Sequence, residues 1–353
     1  MKLWKNNIRD IEPYVPGEQP QSSNVIKLNT NESPFPPSPK AVKAMLDINT
    51  DSLRKYPSFV CPELKAALME NYPVKENELF LGNGSDEVLA LCFMTFFNSD
   101  KPILFPDVTY SFYPVWCDLY NIPYETIPLD DSFKIRREDY RRPNGGIVIT
   151  NPNAPTGIFM PLEDIEDIVK HNTDSIVIVD EAYIDFGGQS AIDLIHKYDN
   201  LVVVQTYSKS RSLAGIRVGY AAMQSELNAA LEAVKNSFNS YTLNTISQTV
   251  AAASALDKDY FNSCTRTITE NRTYTVSRLD GLGFKTLPSS ANFIFSTHPS
   301  CSGKELFEYL KSKNIYVRHF NKPRISEYLR ITIGTKDEMT AMINALEEFL
   351  DNK

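Results

Sequence analysis

SIVIVDEAY (Ser175–Tyr183) and NLVVVQTYSK (Asn200–Lys209) decide how this chain reads. Each is a continuous run of Ile, Val or Leu that ends abruptly in polar groups. A strand with one wet face alternates apolar and polar residues, whereas an unbroken β-branched run is buried on both faces. GGIVIT (Gly145–Thr150), ELFLGNG (Glu78–Gly84), KPILFPD (Lys101–Asp107) and IPYETIPL (Ile122–Leu129) add further strands upstream. Helical periodicity separates them, in PELKAALMENY (Pro62–Tyr72), SDEVLALCFMTFF (Ser85–Phe97), SFYPVWCDLYN (Ser111–Asn121) and PLEDIEDIVKHN (Pro161–Asn172). In the second of these, Val88, Leu91, Cys92, Thr95 and Phe96 form one face. Strands alternating with helices predict an α/β fold with a mostly parallel sheet between helix layers. Ligands of such sheets bind beyond the carboxyl ends of the strands. Chemistry is therefore to be sought in the polar residues after each run.

Outward from this region the pattern changes. SPFPPSP (Ser33–Pro39) cannot be a helix interior, because Pro lacks an N–H and clashes with the preceding turn. Residues 1–40 read as an arm lying along a larger body and joining the smaller domain. After Gly219 come helical segments at Ser225–Lys235, Thr242–Leu256 and Tyr260–Leu279. FKTLPSSANFIFST (Phe284–Thr297), a helix (Gly303–Asn314), the strands IYVRHF (Ile315–Phe320) and YLRITIGT (Tyr328–Thr335) and a last helix follow. Short strands among helices predict a small α+β domain. The expected division is a large domain over 41–250 and a small C-terminal domain over 251–353.

Composition narrows the partners. The 353 residues are 42% hydrophobic and 23% charged, as in ordinary soluble proteins of two domains. A net charge of −8 argues against nucleic acid. Cys61, Cys92, Cys117, Cys264 and Cys301 are odd in number and widely spaced without C-x-x-C. No metal site or disulfide framework is expected, and a reducing compartment fits. Without an apolar run of about 18 residues or a signal-type start, a cytoplasmic protein with no membrane partner is expected.

Four strand ends stand out: Gly84-Ser85-Asp86, Asn151 to Gly157 (N-P-N-A-P-T-G), Asp180 to Tyr183, and Thr206 to Lys209. Ser85 and Asp86 open a helix whose N–H groups offer an anion site; a turn with an N-cap is the plainer alternative. The third glycine of G-x-G-x-x-G is missing, which argues against a dinucleotide fold. Asp180 ends a buried run, where a carboxylate is costly unless it meets a cation or a donor; capping the next turn is the alternative. Lys209 follows Thr206 and Ser208 and precedes Arg217, the setting of a phosphate cradle beside an amine. A buried lysine can lose its proton and become a nucleophile.

N-P-N-A-P-T-G, D-E-A-Y and S-K-S-R-S-L-A-G-I-R together resemble the pyridoxal-phosphate aminotransferases of fold type I. L-N-T-N-E-S-P-F (Leu28–Phe35), K-Y-P (Lys55–Pro57), G-N-G-S-D-E (Gly82–Glu87), Y-V-R-H-F and Y-L-R-I-T-I-G-T resemble the histidinol-phosphate aminotransferase branch. The likeness runs from about Ile11 to the C-terminus, with one departure, Ala154 where the family has Asn or Cys. It implies a mixed seven-stranded sheet and transfer of an amino group between L-histidinol phosphate and 2-oxoglutarate. The products are imidazole acetol phosphate and L-glutamate, in histidine biosynthesis. It also implies residue roles. Lys209 forms the Schiff base with pyridoxal 5'-phosphate, and Asp180 pairs with the ring nitrogen. Tyr183 and Asn153 donate to the ring's phenolic oxygen, and Tyr110 stacks on its face. Gly84, Ser85, Asp86, Thr206, Ser208 and Arg217 surround the phosphate. Tyr56 reaches that phosphate from a neighbouring subunit, which implies a homodimer with shared sites. Tyr14, Asn31, Arg318 and Arg330 line the substrate side. Arg330 suits a carboxylate, and Arg318 is the second cation that a phosphate monoester favours. The alternatives are an L-threonine-O-phosphate decarboxylase and an aromatic or broad-range aminotransferase.

Overall fold

A computed structural model describes residues 3–20 and 24–353. Positions 1–2 and 21–23 of the expected arm lie outside the described residues. In chain order the elements are β1 (Ile26–Lys27), α1 (Pro39–Leu46), α2 (Pro62–Met69), β2 (Leu79–Gly82), α3 (Ser85–Phe96), β3 (Ile103–Pro106), α4 (Tyr113–Tyr120) and β4 (Tyr124–Ile127). Then follow β5 (Gly146–Thr150), α5 (Leu162–Lys170), β6 (Val177–Asp180), β7 (Leu201–Thr206), β8 (Gly219–Met223), α6 (Ser225–Phe238), α7 (Thr245–Ala255) and α8 (Lys258–Gly281). The chain ends with β9 (Lys285–Thr286), β10 (Phe293–Thr297), α9 (Gly303–Ser312), β11 (Ile315–Tyr316), β12 (Arg318–His319), β13 (Leu329–Thr332) and α10 (Lys336–Asp351).

Seven strands form one sheet in the order β2-β8-β7-β6-β5-β3-β4. The pairs β3–β4, β3–β5, β5–β6 and β6–β7 are parallel, and β8 runs antiparallel to both its neighbours. Sequence reading passes over β8, since its GYAAM lacks the β-branched signature of a strand. It is a strand because both its edges are paired and all five residues are buried. Gly219 at its start must be glycine, because a Cβ there would overlap the backbone nitrogen of Ser85.

The sheet's two faces bury different halves of each strand. Ile147, Ile149, Val177, Val179, Leu201 and Val203 pack with residues of α1, α2, α5 and α7. Val148, Ile178, Val202 and Val204 pack on the opposite side with residues of α3, α4 and α6. This period-two division is why continuous apolar runs mark these strands. A separate sheet, β12-β13-β10-β9, packs against α8, α9 and α10. IYVRHF divides at Val317: β11 pairs in parallel with β1, while β12 pairs with β13. Leu28 is buried in that second core, so the segment after β1 lies against the C-terminal elements. Ser38 caps α1 by accepting from the Ala41 N–H at 3.2 Å, and Pro39 takes the first helical position. Among the described residues no helix is long and apolar enough to cross a membrane.

Candidate active site

Register along the sheet sorts the polar strand ends into two rows. Thr150 of β5 lies beside Asp180 of β6, and β7 reaches Thr206 two residues beyond the Val204 that Asp180 faces. Thr150, Asp180 and Thr206 all line one pocket. The residues one position on, Asn151, Glu181 and the offset Gln205, belong to the other face and do not line it.

Asp180 is buried. It accepts from the Tyr113 hydroxyl at 2.8 Å and from the Ala182 N–H at 3.2 Å. Burial pushes its carboxyl up to about 6, against the lowering effect of those two donors. Lys209 leaves the end of β7, and its Nζ donates to the Thr30 carbonyl at 3.1 Å. The same amine lies 5.8 Å from the Tyr183 ring centre. A buried acid and an amine thus share one pocket wall.

A second group surrounds the start of α3. Gly84 is the N-cap with φ +85, and no side chain caps the helix. A Cβ on Gly84 would collide with the Arg217 guanidinium, so glycine lets that cation lie against the helix start. Arg217 approaches the Ser208 hydroxyl at 3.5 Å and the Asp86 carboxylate at 3.4 Å, and Thr206 donates to Ser208 at 3.0 Å. Helix N–H groups, hydroxyls and a guanidinium together make a dianion cradle. The amine, the acid and this cradle fit the aldehyde, ring nitrogen and phosphate of pyridoxal phosphate.

The opposite wall comes from the arm and the C-terminal sheet. Arg318 and Arg330 are directly paired across β12 and β13. Both line the pocket, and neither has a carboxylate partner among the described residues. Arg330 donates to the Asn29 carbonyl at 3.0 Å, and its Nε is buried with no partner. Burial lowers the pKa of Arg330, and the neighbouring Arg318 adds to that. Two adjacent guanidiniums lining one space suit an anion that both can bind. Tyr14 stacks on Phe112, with ring centres 4.4 Å apart, and closes the side of the pocket.

The structure therefore gathers Lys209, Asp180, Tyr183, Ser85, Asp86, Tyr110, Thr206, Ser208, Arg217, Tyr14, Asn31, Arg318 and Arg330 around one pocket. Three expected residues stand apart. Gly84 lies behind Arg217. Asn153 gives its amide nitrogen to Val108 O at 2.9 Å and to Thr156 Oγ1 at 3.0 Å, and Ala154 lines the pocket in its place. Tyr56 is 81% exposed, stacked on Tyr241 outside the pocket. Asp86 is placed there, but its carboxylate takes the Tyr110 hydroxyl at 2.9 Å and faces Arg217, so only its backbone suits a phosphate. Sequence reasoning missed Thr150, which bonds Tyr113 at 2.6 Å, and Tyr113 itself. Tyr113 opens an apolar helix, where only the adjacent Pro114 departs from a plain core stripe.

The family model of the class I and II aminotransferases matches residues 23–346. The chain is 52% identical over 351 residues to the histidinol-phosphate aminotransferase 2 of Dechloromonas aromatica, covering 98% of this chain and 99% of that protein. It is 51% identical over 354 residues to the histidinol-phosphate aminotransferase of Acinetobacter baylyi, covering 99% and 98%. Its fold matches the crystal structure of histidinol-phosphate aminotransferase from Sinorhizobium meliloti in complex with pyridoxal-5'-phosphate. That match has a TM-score of 0.85 at 22% identity and covers 93% of this chain and 91% of that one.

Proposed function

This chain belongs to the histidinol-phosphate aminotransferases within the class I and II aminotransferase family, and on that premise we propose which of its residues carry the reaction. It is a pyridoxal-phosphate enzyme that moves an amino group between L-histidinol phosphate and 2-oxoglutarate. When bound, the cofactor supplies an aldehyde that holds the amino group and a protonated ring that draws electrons from the substrate Cα. Lys209 Nζ would hold the aldehyde and would serve as the base at the substrate Cα. Asp180 would keep the ring nitrogen protonated. Tyr183 would donate to the phenolic oxygen, and Tyr110 would cover the ring. The α3 N–H groups at Ser85 and Asp86, with Thr206, Ser208 and Arg217, hold the phosphate.

The observation that carries the substrate assignment is the Arg318–Arg330 pair. One guanidinium serves a carboxylate through two parallel hydrogen bonds, whereas a phosphate monoester has nearly two charges and three terminal oxygens. Two unpaired cations side by side match the second. Single turnover of the loaded enzyme with separate amines tests this. Conversion of the cofactor to its amine form fastest with L-histidinol phosphate supports the reading. Carbon dioxide release from O-phospho-L-threonine supports a decarboxylase, and preference for phenylalanine overturns the phosphate assignment.

The active unit is a homodimer in the cytoplasm, with residues 1–40 as an arm on the small domain, 41–250 as the large domain and 251–353 as the small one. The exposed aromatic cluster of Tyr56, Phe59 and Tyr241 supports a second copy covering this face. Tyr56 would complete the partner's phosphate site. Mixing inactive Lys209→Ala and Tyr56→Ala proteins restores activity if sites are shared; proven exchange without recovery argues against sharing.

A further inference from the structure

Asn31, expected on the substrate side, lines the pocket beside Tyr183 and is 1% exposed. Its backbone has φ +56, a left-handed conformation that Asn and Asp tolerate better than other side chains. Three neighbours hold it there. Its backbone N–H donates to Thr332 Oγ1 at 3.0 Å, and its carbonyl accepts from Asn292 Nδ2 at 3.0 Å. Thr332 Oγ1 in turn donates to Asn31 Oδ1 at 3.1 Å. With the amide oxygen turned to Thr332, the amide nitrogen faces Tyr183 and donates to its hydroxyl oxygen at 3.0 Å.

The order of donors matters. A phenol has one hydrogen to give. Because Asn31 Nδ2 is a donor, the Tyr183 oxygen must accept from it, and the Tyr183 hydrogen is left for something else. It has no acceptor among the described residues, and Tyr183 lines the pocket. Asn153, the other expected donor to the ring, has committed its amide hydrogens to Val108 and Thr156. Ala154, which lines the pocket beside it, has none to give.

We propose that Asn31, oriented by Thr332, is a positioning residue that turns the Tyr183 hydroxyl hydrogen into the pocket, toward the cofactor's phenolic oxygen. This rests on the reading that Tyr183 donates to that oxygen. The bond should favour the form in which the oxygen carries the charge and the Lys209 linkage has lost its proton. The relay therefore holds down the pH at which the bound cofactor changes its visible absorbance.

The test is a pH titration of visible absorbance on enzyme loaded with pyridoxal phosphate, with no substrate present. Tyr183→Phe should raise the midpoint by about one pH unit, the size of one hydrogen bond to a charged oxygen. An unmoved midpoint there overturns the reading of Tyr183 itself, and the relay with it. Asn31→Asp keeps shape and backbone preference but offers an oxygen where Asn31 offers an N–H, so it accepts the Tyr183 hydrogen and withdraws it from the pocket. It should raise the midpoint by about one pH unit or more in the parent and by clearly less beside Tyr183→Phe, where only its charge acts. Equal shifts in the two backgrounds, or none in the parent, overturn the relay while leaving Tyr183 in place. Thr332→Val, which frees the Asn31 amide to turn, should also raise the midpoint, and Thr332→Ser should keep the parent value. Val and Ser behaving alike overturns the part played by Thr332.

Discussion

Asp180 and Glu181 leave β6 side by side and enter different worlds. Asp180 points to the pocket face with two donors, Tyr113 and Ala182. Glu181 points to the opposite face and meets three: Ser190 Oγ at 2.5 Å, the Ala191 N–H at 2.6 Å and Gln205 Nε2 at 2.8 Å. Gln205 Oε1 is itself filled by the Tyr72 and Tyr220 hydroxyls, at 2.9 and 2.5 Å. Burial raises both carboxyls, to about 6 and about 7. A raised pKa therefore does not separate chemistry from architecture here. What separates them is what each carboxylate still lacks. Glu181 is saturated by neutral donors of its own chain and braces residues 190–191 to β7. Asp180 shares a pocket with Lys209 and has room for a cation from outside.

The largest effects belong to the pocket face. Lys209→Ala should lower turnover by several orders of magnitude while cofactor still binds through the phosphate cradle. Borohydride reduction and peptide mapping identify the linked lysine, and a label elsewhere breaks the assignment. Asp180→Asn removes one member of a buried ion pair, worth about 3–5 kcal/mol, or roughly 200- to 5,000-fold in kcat. The cofactor-free protein should move the other way. A carboxyl raised by burial makes the folded state lose stability as pH climbs from the unfolded value of about 4 to the folded value of about 6, with the full penalty above that. Asp180→Asn should therefore stabilise the cofactor-free protein at pH 7.5 by roughly 3 kcal/mol, read as a higher Tm, and give little gain at pH 4. A falling Tm at pH 7.5 would show that the carboxylate's own hydrogen bonds outweigh its burial.

Arg318→Ala tests the far wall of the same pocket. It should cost L-histidinol phosphate roughly 10- to 100-fold in kcat/KM, and glutamate less, because Arg330 still serves a carboxylate. Equal losses would mean that Arg318 supports the pocket without reading the phosphate.

Legibility in the sequence follows the same division. Asp180 and Lys209 are visible because apolar runs stop at them, and parallel strands send their ends to one side. Arg318 and Arg330 are visible as cations on adjacent strands, although their direct cross-strand pairing needs the register of β12 and β13. The choice between Asn153 and Ala154 is not visible, since loop geometry decides which neighbour faces the pocket. β8 is hidden by its small residues, and Tyr113 by an apolar helix. The surroundings of Asn31 depend on Thr332, 301 positions away, which no local pattern reports. Glu181 goes unremarked for a related reason, since its saturation depends on Ser190 and Gln205, which only the fold brings together.

Glu181→Gln makes the smallest change and bears most directly on the comparison. Gln keeps one acceptor, enough for the Ala191 N–H, but replaces the other oxygen with a donor. Ser190 Oγ, which already accepts from the Ile192 N–H at 3.1 Å and from Gln205 Nε2 at 3.2 Å, has no lone pair left for that donor. Gln205 Nε2 cannot respond by flipping, because its Oε1 is already the acceptor for Tyr72 and Tyr220. One buried N–H then faces another N–H, a loss of about 1–3 kcal/mol in stability. At pH 4.5, below the range in which burial of the charged Glu181 penalises the parent, the variant should thus unfold at lower denaturant with m unchanged, while the kcat of the loaded enzyme at neutral pH stays within a few-fold of the parent. Turnover therefore separates it from Asp180→Asn, which should lose it. If Glu181→Gln instead lowered kcat a hundredfold with stability intact, the back row of the sheet would be part of the chemistry, and saturation by internal donors would no longer distinguish a brace from a catalytic acid.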